Sequence, residues 1–261
     1  MKTSLVVNTF NQPDALRTVL AAIISQSRPP DEILVADDGS GDETRRVIEE
    51  AGRRSPIPLA RHWQEKKGFR RSRILNRCVG AASGDYIIFL DGDCVPQHHF
   101  IKDHAMLAER GHWVQGRRAF VKEAFVKNFS PSQRQVLYYA ASGRLTGLAK
   151  AFRYPIPIIQ KGTGMHGILG CNLGVWRDDL LAINGYDEAF EGWGREDSDL
   201  GARLYHLGRK RKLVHGRAII YHLNHPPAAR DHLRNNDELF AATLSSKTIR
   251  CKRGIVDEST I

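Results

Sequence analysis

Short apolar runs alternate with amphipathic segments through the first hundred residues. Ser4 to Val7, Glu32 to Ala36 and Tyr86 to Leu90 are apolar and β-branched, which predicts three buried strands. Apolar residues recur at helical spacing from Leu16 to Ile24, and this predicts an amphipathic helix after the first strand. A second helix is expected from Asp42 to about Gly52.

This order of strands and helices predicts an α/β fold. Parallel strands need a crossover to return the chain to the same edge of the sheet, and a helix normally supplies it. The fold class is therefore α/β with a mostly parallel, Rossmann-like central sheet flanked by helices. Asn11, with Asp14 three residues later, is expected to cap the first helix, and Pro29 with Pro30 to end it.

The pattern is less regular beyond Pro96. Helices are expected from His99 to Arg110 and from Gln133 to Phe152, and a strand from Trp113 to Val121. Glycines crowd together between residues 162 and 174, which indicates a mobile or closely approached loop. The remaining predicted elements are a helix from Glu196 to Leu207, a strand from Ala218 to His222 and a helical tail from Pro226.

Composition is ordinary for a globular protein, but the charge is not. Hydrophobic residues make up 41% and charged residues 26%, while the formal net charge is +10. Such a charge calls for an acidic partner, which leaves nucleic acid, an anionic membrane surface and a phosphorylated substrate open. The basic runs Arg209 to Lys212 and Lys247 to Arg253 favour a surface patch.

Compartment and membrane topology are inferred from what the chain lacks. No apolar stretch is long enough to span a bilayer, and the chain passes from Met1 into a strand without a secretory-signal pattern. We therefore expect a cytoplasmic protein. The four cysteines are scattered and form no C-x-x-C pair, so reduced thiols are expected.

The turn Asp91-Gly92-Asp93 carries two carboxylates at the end of the third predicted strand. Ligands bind at the carboxyl ends of strands in open α/β sheets. Hard oxygen ligands suit Mg²⁺ or Mn²⁺, either of which can bridge the phosphates of a nucleotide. The alternative is a plain surface turn, since Asp-Gly is a common turn dipeptide.

A second acidic cluster, Gly192 to Asp199, opens the predicted helix at Glu196. One of its carboxylates is a candidate general base, although acidic residues are favoured in any first helical turn. Trp193, flanked by glycines, is a candidate stacking surface for a sugar, or else a core anchor. His222 and His225 follow the last predicted strand, and either imidazole is a candidate metal ligand or an ordinary histidine.

Other enzyme classes lack their signatures. The chain has no H-E-x-x-H, no G-x-x-x-x-G-K-[ST] and no G-x-S-x-G, which argues against a metalloprotease, a P-loop protein and an α/β-hydrolase. The glycines from Gly162 do not have the spacing of a dinucleotide fingerprint.

Four motifs, taken in order, resemble the inverting family 2 glycosyltransferases with a GT-A fold. The first is the turn that follows the first strand, from Asn8 to Asn11, and the second is the segment Ala36 to Ser40. The third is the turn Asp91 to Asp93, and the fourth is the Trp-Gly-Arg-Glu-Asp run that begins at Trp193. The stretch Phe69 to Asn76 and the run Gly192 to Asp199 are similar to β-1,4-galactosyltransferases and to bacterial chondroitin-polymerase domains. The resemblance spans residues 3 to about 225.

The resemblance implies a role for each matching residue. Thr9, Phe10 and Asn11 would surround the uridine, and Asp38 would accept a hydrogen bond from the uracil N–H. Phe69 and Arg71 would border the nucleotide and diphosphate, Asp91 would meet the ribose or sugar, and Asp93 and His222 would bind Mn²⁺ or Mg²⁺. Trp193 and Gly194 would lie under a sugar, Glu196 would hold an acceptor hydroxyl, and Asp197 would be the base, with Glu196 as the alternative. A methionine ligand of the galactosyltransferase pattern has no counterpart here.

These implications give a domain plan and a function. Residues 1–225 would form the transferase domain, with a nucleotide half (1–95) and an acceptor half (96–225), and residues 226–261 a basic helical extension. The enzyme would transfer a hexose or N-acetylhexosamine from a UDP-sugar to a saccharide or lipid-linked acceptor in surface polysaccharide or lipopolysaccharide synthesis. The basic tail and the helix from Gln133 to Phe152 would contact an anionic inner membrane.

Two rival functions stay open on sequence grounds. A nucleotidyltransferase acting on sugar phosphates would also use paired carboxylates and a divalent ion, but residues 3 to 20 lack its phosphate loop. A nucleic-acid-binding module would explain the charge. Two acidic clusters would repel a nucleic acid, so no nucleic-acid partner is expected.

Overall fold

The chain was analysed as a computed structural model that describes residues 1–165, 167–226 and 231–258. Its first half alternates strands and helices as the sequence predicts, with one further strand, β3. These elements are β1 Thr3–Thr9, α1 Pro13–Ile24, β2 Glu32–Asp37, α2 Asp42–Arg54, β3 Leu59–Trp63, α3 Arg71–Ala81 and β4 Tyr86–Asp91.

The second half contains shorter elements. They are β5 Cys94–Pro96, α4 Phe100–Leu107, β6 His112–Gln115, β7 Arg117–Val121, α5 Gln133–Ala141, β8 Leu145–Thr146, β9 Ile158–Gly162, β10 Asn172–Trp176, α6 Arg177–Ala182, α7 Glu196–His206, β11 Lys210–His215, β12 Ile219–Leu223 and α8 Leu233–Ser246. Short 3₁₀ helices cover Glu123–Asn128 and Leu148–Lys150.

A central sheet of eight strands, in the order β3-β2-β1-β4-β10-β6-β11-β9, organises the chain. The four N-terminal strands pair in parallel, whereas β10 runs antiparallel to both β4 and β6. A smaller sheet has the order β5-β12-β7-β8. Strands β1, β2, β4, β6 and β11 therefore point the same way, and their carboxyl ends share one edge of the central sheet.

The middle of the central sheet is buried on both faces. Leu5 and Val7 of β1 belong to one apolar cluster together with Leu20 of α1, while Val6 belongs to the opposite cluster with Ile74 of α3. This alternation follows from the two-residue period of a strand. It explains why the N-terminal strands read as continuous apolar runs.

Four local expectations are wrong. Asn11 does not cap α1, whose N-cap residue is Gln12 without a side-chain bond, and the helix already ends at Ile24, before the prolines. The helix expected from Gln133 to Phe152 stops at Ala141, after which the chain forms β8 and a 3₁₀ turn. The strand expected from Trp113 to Val121 divides into β6 and β7, which lie in different sheets.

A fifth expectation, that the basic run from Arg209 to Lys212 forms a surface patch, is wrong in part. Arg211 and Lys212 lie on β11 and are only 7% and 6% exposed. The ammonium of Lys212 donates to the carbonyl of Leu107. A charge in a strand can stay buried where backbone oxygens and carboxylates accept its hydrogen bonds, so these cations serve the fold.

Helix α8 belongs to the predicted extension 226–261, of which residues 227–230 and 259–261 lie outside the described part. The side chain of Asn236, fully buried, donates to the carbonyls of Glu191 and Gly194, and Thr243 donates to Asp199 of α7. The described part of this segment therefore packs directly behind the α7 N-terminus. The domain boundary itself stays a prediction.

Gly174 in β10 offers a test of the packing between β10 and β4. A Cβ atom there would lie 2.2 Å from the Tyr86 hydroxyl and 2.7 Å from His104 Nδ1, and both residues are fully buried. We expect Gly174→Ala to lower the free energy of unfolding by about 1–3 kcal/mol in urea titrations. Gly162→Ala in β9 is the control, because nothing lies within 4 Å of its added Cβ. Equal effects of the two substitutions would contradict this account.

Candidate active site

A cavity of about 990 Å³ opens at the carboxyl edge of the central sheet. Its walls come from the ends of β1 and β4, the loop before β10, the start of α7 and the segment after β12. The residues of the expected site that line it are Thr9, Phe10, Phe69, Arg71, Asp91, Asp93, Trp193, Gly194, Glu196, Asp197 and His222.

The turn at the end of β4 is held against β1. The Gly92 N–H donates to the Asn8 carbonyl at 2.7 Å. A Cβ on Gly92 would lie 2.9 Å from that same oxygen, so only glycine allows this approach. The turn therefore fixes Asp91 and Asp93 at the sheet edge, as expected for strand-end carboxylates.

Asp93 faces two imidazoles from the end of β12. Its Oδ2 lies 2.9 Å from His225 Nε2 and 3.7 Å from His222 Nε2, and one ligand atom from each of the three residues falls within 4.8 Å of the others. Burial alone would raise the pKa of the Asp93 carboxyl, but the hydrogen bond from His225 and the charge of His222 hold it below its ordinary value.

The two histidines differ in how readily their imidazoles take up a proton. The hydrogen bond to Asp93 raises the pKa of His225 to about 9, whereas burial lowers the pKa of His222. The Nδ1 atom of His222 is buried and has no hydrogen-bond partner among the described residues. One carboxylate and two imidazoles, one of them with an unsatisfied nitrogen, fit a divalent transition metal better than Mg²⁺, which prefers oxygen ligands.

Arg71, the first residue of α3, joins the two acidic clusters. Its Nη2 donates to Asp91 at 3.1 Å, and its Nη1 lies 2.9 Å from Asp197 and 3.5 Å from Glu196. Burial alone would lower the pKa of Arg71, but Asp197 and Asp91 raise it well above its ordinary value. The guanidinium thus brings together residues that are more than a hundred positions apart.

The carboxylates around Arg71 outnumber it. Burial raises the pKa of Asp91 to about 6 against the lowering effect of Arg71, and the charges of Asp93 and Asp197 add to the rise. Burial also raises the pKa of Glu196 to about 7, with the charge of Asp197 as the next cause. One of these carboxyl groups therefore takes up a proton near neutral pH.

The backbone before α7 and β10 positions Asp197 and Glu196. The Gly170 N–H donates to Asp197 Oδ2 at 2.8 Å, and a Cβ on Gly170 would lie only 2.0 Å from Asp197 Oδ1. The Gly194 N–H donates to Glu196 Oε2 at 3.1 Å. Gly194 has a φ of +110° and Arg195 of +74°, so the chain enters α7 through two left-handed residues. Trp193 remains 40% exposed beside this turn and is no core anchor.

Asn11 and Asp38 are not among the residues that line the cavity. Asp38 is buried, and its carboxylate accepts hydrogen bonds from Gln64, Lys66 and the Arg70 N–H. The Asn11 side chain accepts from the Gly41 N–H and so ties the turn after β1 to the loop after β2. Both residues hold loops next to the cavity wall, and their expected contacts with a uridine stay predictions.

Lys66, Arg118 and Gly170 are polar or close-approach residues of the cavity wall that were not expected from the sequence, and His225 was named there only as an alternative metal ligand to His222. The Lys66 ammonium lies 3.6 Å from the centre of the Phe10 ring. For His225 the signal was its three-residue spacing from His222, which is visible in the sequence. For Lys66, Arg118 and Gly170 no local pattern exists, because their positions depend on contacts between distant segments.

Two family models match the chain. "Glycosyl transferase family 2" matches residues 4–180, more than half of the chain, and "N-terminal domain of galactosyltransferase" matches residues 159–226. Among curated proteins, the hyaluronan synthase of Pasteurella multocida is 26% identical over 85% of this chain, and the chondroitin synthase of Escherichia coli is 24% identical over 85%. The chain spans 24% and 35% of their lengths.

Solved structures with the same architecture include S. aureus TarS 1-349 in complex with UDP, with a TM-score of 0.66 and 15% identity, covering 100% of this chain and 68% of that one. The mannosyltransferase PcManGT from Pyrobaculum calidifontis, in complex with GDP-Man and Mn²⁺, has a TM-score of 0.61 and 18% identity, covering 95% and 64%. These likenesses confirm the GT-A fold. With the family match, they favour glycosyl transfer over nucleotidyl transfer. The chain belongs to glycosyl transferase family 2.

Proposed function

We propose that this protein is an inverting, metal-dependent glycosyltransferase that transfers a hexose or N-acetylhexosamine from a UDP-sugar to a saccharide hydroxyl. The observation that carries the proposal is the bridge through Arg71, which sets Asp91 on the donor side opposite Asp197 on the acceptor side. A proton acceptor and a diphosphate site then face one cavity, as in-line displacement requires. Attack from the far side converts an α-linked donor into a β-linked product.

Asp93, His222 and His225 would hold the divalent ion. When bound, Mn²⁺ would stabilise the negative charge that develops on the diphosphate leaving group. The two imidazoles favour Mn²⁺ over Mg²⁺. His225 joins Asp93 and His222 as the third ligand, the one for which the sequence offered no methionine.

On the acceptor side, Asp197 accepts the proton of the attacking hydroxyl. Its two oxygens are oriented by Arg71 and by the Gly170 N–H, so the carboxylate is aimed without freedom to rotate. Glu196, next to it, holds the acceptor hydroxyl through a hydrogen bond. Trp193 offers an exposed ring on which a sugar face can stack.

On the donor side, the Phe10 and Phe69 rings and Thr9 border the uridine, while Asn11 and Asp38 hold the loops behind it. The TarS complexes with UDP and UDP-GlcNAc support this choice of donor, and the two polysaccharide synthases among the relatives support a saccharide acceptor. A role in surface polysaccharide or lipopolysaccharide synthesis, and the cytoplasmic location, stay predictions.

Asp197→Asn tests the base. We expect turnover to fall at least about a hundredfold, because the amide cannot accept the proton, while UDP affinity stays within about threefold. Turnover is measured as UDP release from a panel of UDP-sugars with Mn²⁺ and a saccharide acceptor. Ser198→Ala, which changes the adjacent residue of the cavity wall, is the control and should keep nearly full activity. Unchanged turnover in Asp197→Asn would remove the base from this position.

Asp93→Ala tests the metal site by a binding readout. In calorimetric titrations of UDP, the wild-type protein should bind at least about tenfold more tightly with Mn²⁺ than with a chelator. The variant should show no such difference, and His225→Ala should show a reduced one. Asp42→Ala, at the exposed start of α2, is the matched control. Equally tight wild-type binding in the presence of the chelator would contradict metal dependence.

Glu196→Gln tests the raised pKa. Because the pKa of Glu196 is about 7, the proposed hydrogen-bond acceptor is protonated below that pH, so wild-type turnover should rise as the pH passes through 7. The variant should lose this rise. Folding favours the protonated form, so wild-type stability should decline between about pH 4.5 and 7, and the variant should be more stable by about 1–3 kcal/mol above pH 7. If the wild type and Glu196→Gln had the same pH profile of turnover and the same pH profile of stability, both statements would be contradicted.

A further inference from the structure

Positive charge and exposed apolar side chains concentrate in one stretch of the chain, residues 117–161. It contains nine Lys and Arg residues and one acidic residue, Glu123, so it carries a net charge of +8 out of +10. The large apolar side chains exposed in this stretch are Leu137, Tyr138, Leu148, Ile156, Ile158 and Ile159. This combination is typical of a surface that meets an anionic membrane.

The most exposed part runs from Leu148 to Lys161, which we name the β9 approach. Ile156 is 81% exposed and Ile158 is 56% exposed. β9 is an edge strand that pairs only with β11 in the part of the chain described. Hydrogen bonds from Tyr154 and Arg217 fasten the preceding loop to the segment after β11. The apolar side chains are thus presented on an anchored backbone.

The acidic residues that reach the β9 approach do not cancel its charge. Arg153 pairs with the buried carboxylate of Asp103, and Lys161 pairs with Glu109. Each of these acids also pairs with a cation from another segment, Arg217 and Lys212 respectively. The β9 approach therefore keeps a positive excess, to which Lys150 adds.

The β9 approach lies at the same sheet edge as the cavity. β11 runs parallel to β6, which has the direction of β4, and β9 is antiparallel to β11. Ile158 pairs with His215 at the carboxyl end of β11, the end that corresponds to Asp91 in β4. Four interstrand steps of about 4.8 Å separate β9 from β4, or roughly 20 Å along the edge.

We propose that the β9 approach docks on the surface of an anionic lipid bilayer, with its isoleucines in the headgroup region and its cations against the lipid phosphates. A soluble polyanion would match the charge, but aliphatic side chains offer it neither a hydrogen bond nor a stacking plane. The proposal deepens the proposed function, on which it rests in one respect: the cavity would then face an acceptor carried by a lipid. From the sequence, the contact was expected at the basic tail and at the helix from Gln133 to Phe152; the β9 approach adds the segment up to Lys161, whereas in the tail Arg250 pairs with Glu258 and Cys251 is buried.

The test is co-sedimentation of the full chain with vesicles of phosphatidylcholine, with and without phosphatidylglycerol. We expect anionic vesicles to bind the protein at least about tenfold more tightly than neutral ones, and high salt to weaken binding. Replacing Ile156 and Ile158 together by Glu should weaken binding to anionic vesicles by about tenfold or more. The matched control replaces Leu244 and Ile249, which are 39% and 40% exposed, by Glu and should bind as the wild type does.

Two results would overturn the proposal. The first is that the wild type binds neutral and anionic vesicles equally, or binds neither. The second is that the variant with glutamates at 156 and 158 binds anionic vesicles as tightly as the wild type does. If dextran sulfate binds both proteins alike while vesicles bind neither, the surface recognises soluble polyanions instead. UDP-sugar turnover in solution, measured on the same proteins, should be unaffected by these changes. Its absence in the wild type would refute the proposed function and leave the vesicle result standing.

Discussion

One buried guanidinium holds the proposed reaction centre together. Asp91, Glu196 and Asp197 converge on Arg71 at the carboxyl edge of the central sheet. Without the positive charge of Arg71, these three partly buried carboxylates would repel each other strongly. Arg71 cannot neutralise all three. Burial and, after it, the remaining repulsion raise the pKa values of Asp91 and Glu196, so the site retains carboxyl groups that change protonation near neutral pH. Groups of that kind are what proton transfer requires.

This arrangement is assembled from two helix beginnings of opposite character. α7 starts with Glu196 and Asp197, which the positive end of a helix favours, whereas α3 starts with Arg71 and has no acid in its first turn. Arg71 therefore sits where its own helix disfavours it and is stabilised by carboxylates from β4 and α7. The electrostatic conflict at α3 is resolved only when the two halves of the chain are folded together. The geometry of the site therefore depends directly on the packing of the two halves of the chain against each other.

The contrast between local sequence patterns and contacts made only in the folded chain also explains how much of the structure could be predicted from sequence. β1, β2 and β4 were predictable because burial on both faces gives continuous apolar runs, and Asp91 and Asp93 followed as strand-end residues. β3 was missed because its residues are half exposed and mixed in polarity, β10 because Asn172–Trp176 adjoins a glycine-rich loop, and β11 because Lys210–His215 begins as a basic run. These strands form through pairing with distant segments, which no local period records. Gly170 likewise has meaning only once Asp197 lies against its backbone.

The electrostatics of the cavity also bear on why a cation belongs at Asp93. A nucleoside diphosphate would bring further negative charge to a wall that already carries Asp91, Asp93, Glu196 and Asp197. Arg71 is committed to three of these carboxylates, and Lys66 to Asp38. His225 balances the charge of Asp93 by keeping its own proton, which its raised pKa reflects. An imidazolium carries only one positive charge, however, and it has no open coordination position for phosphate oxygens. A divalent ion held by Asp93, His222 and His225 would supply two positive charges for the phosphate oxygens, and its binding would displace the His225 proton. On the proposed function, the ligand set and the carboxylate excess would therefore be two parts of one requirement, the binding of a polyanionic donor in an acidic cavity.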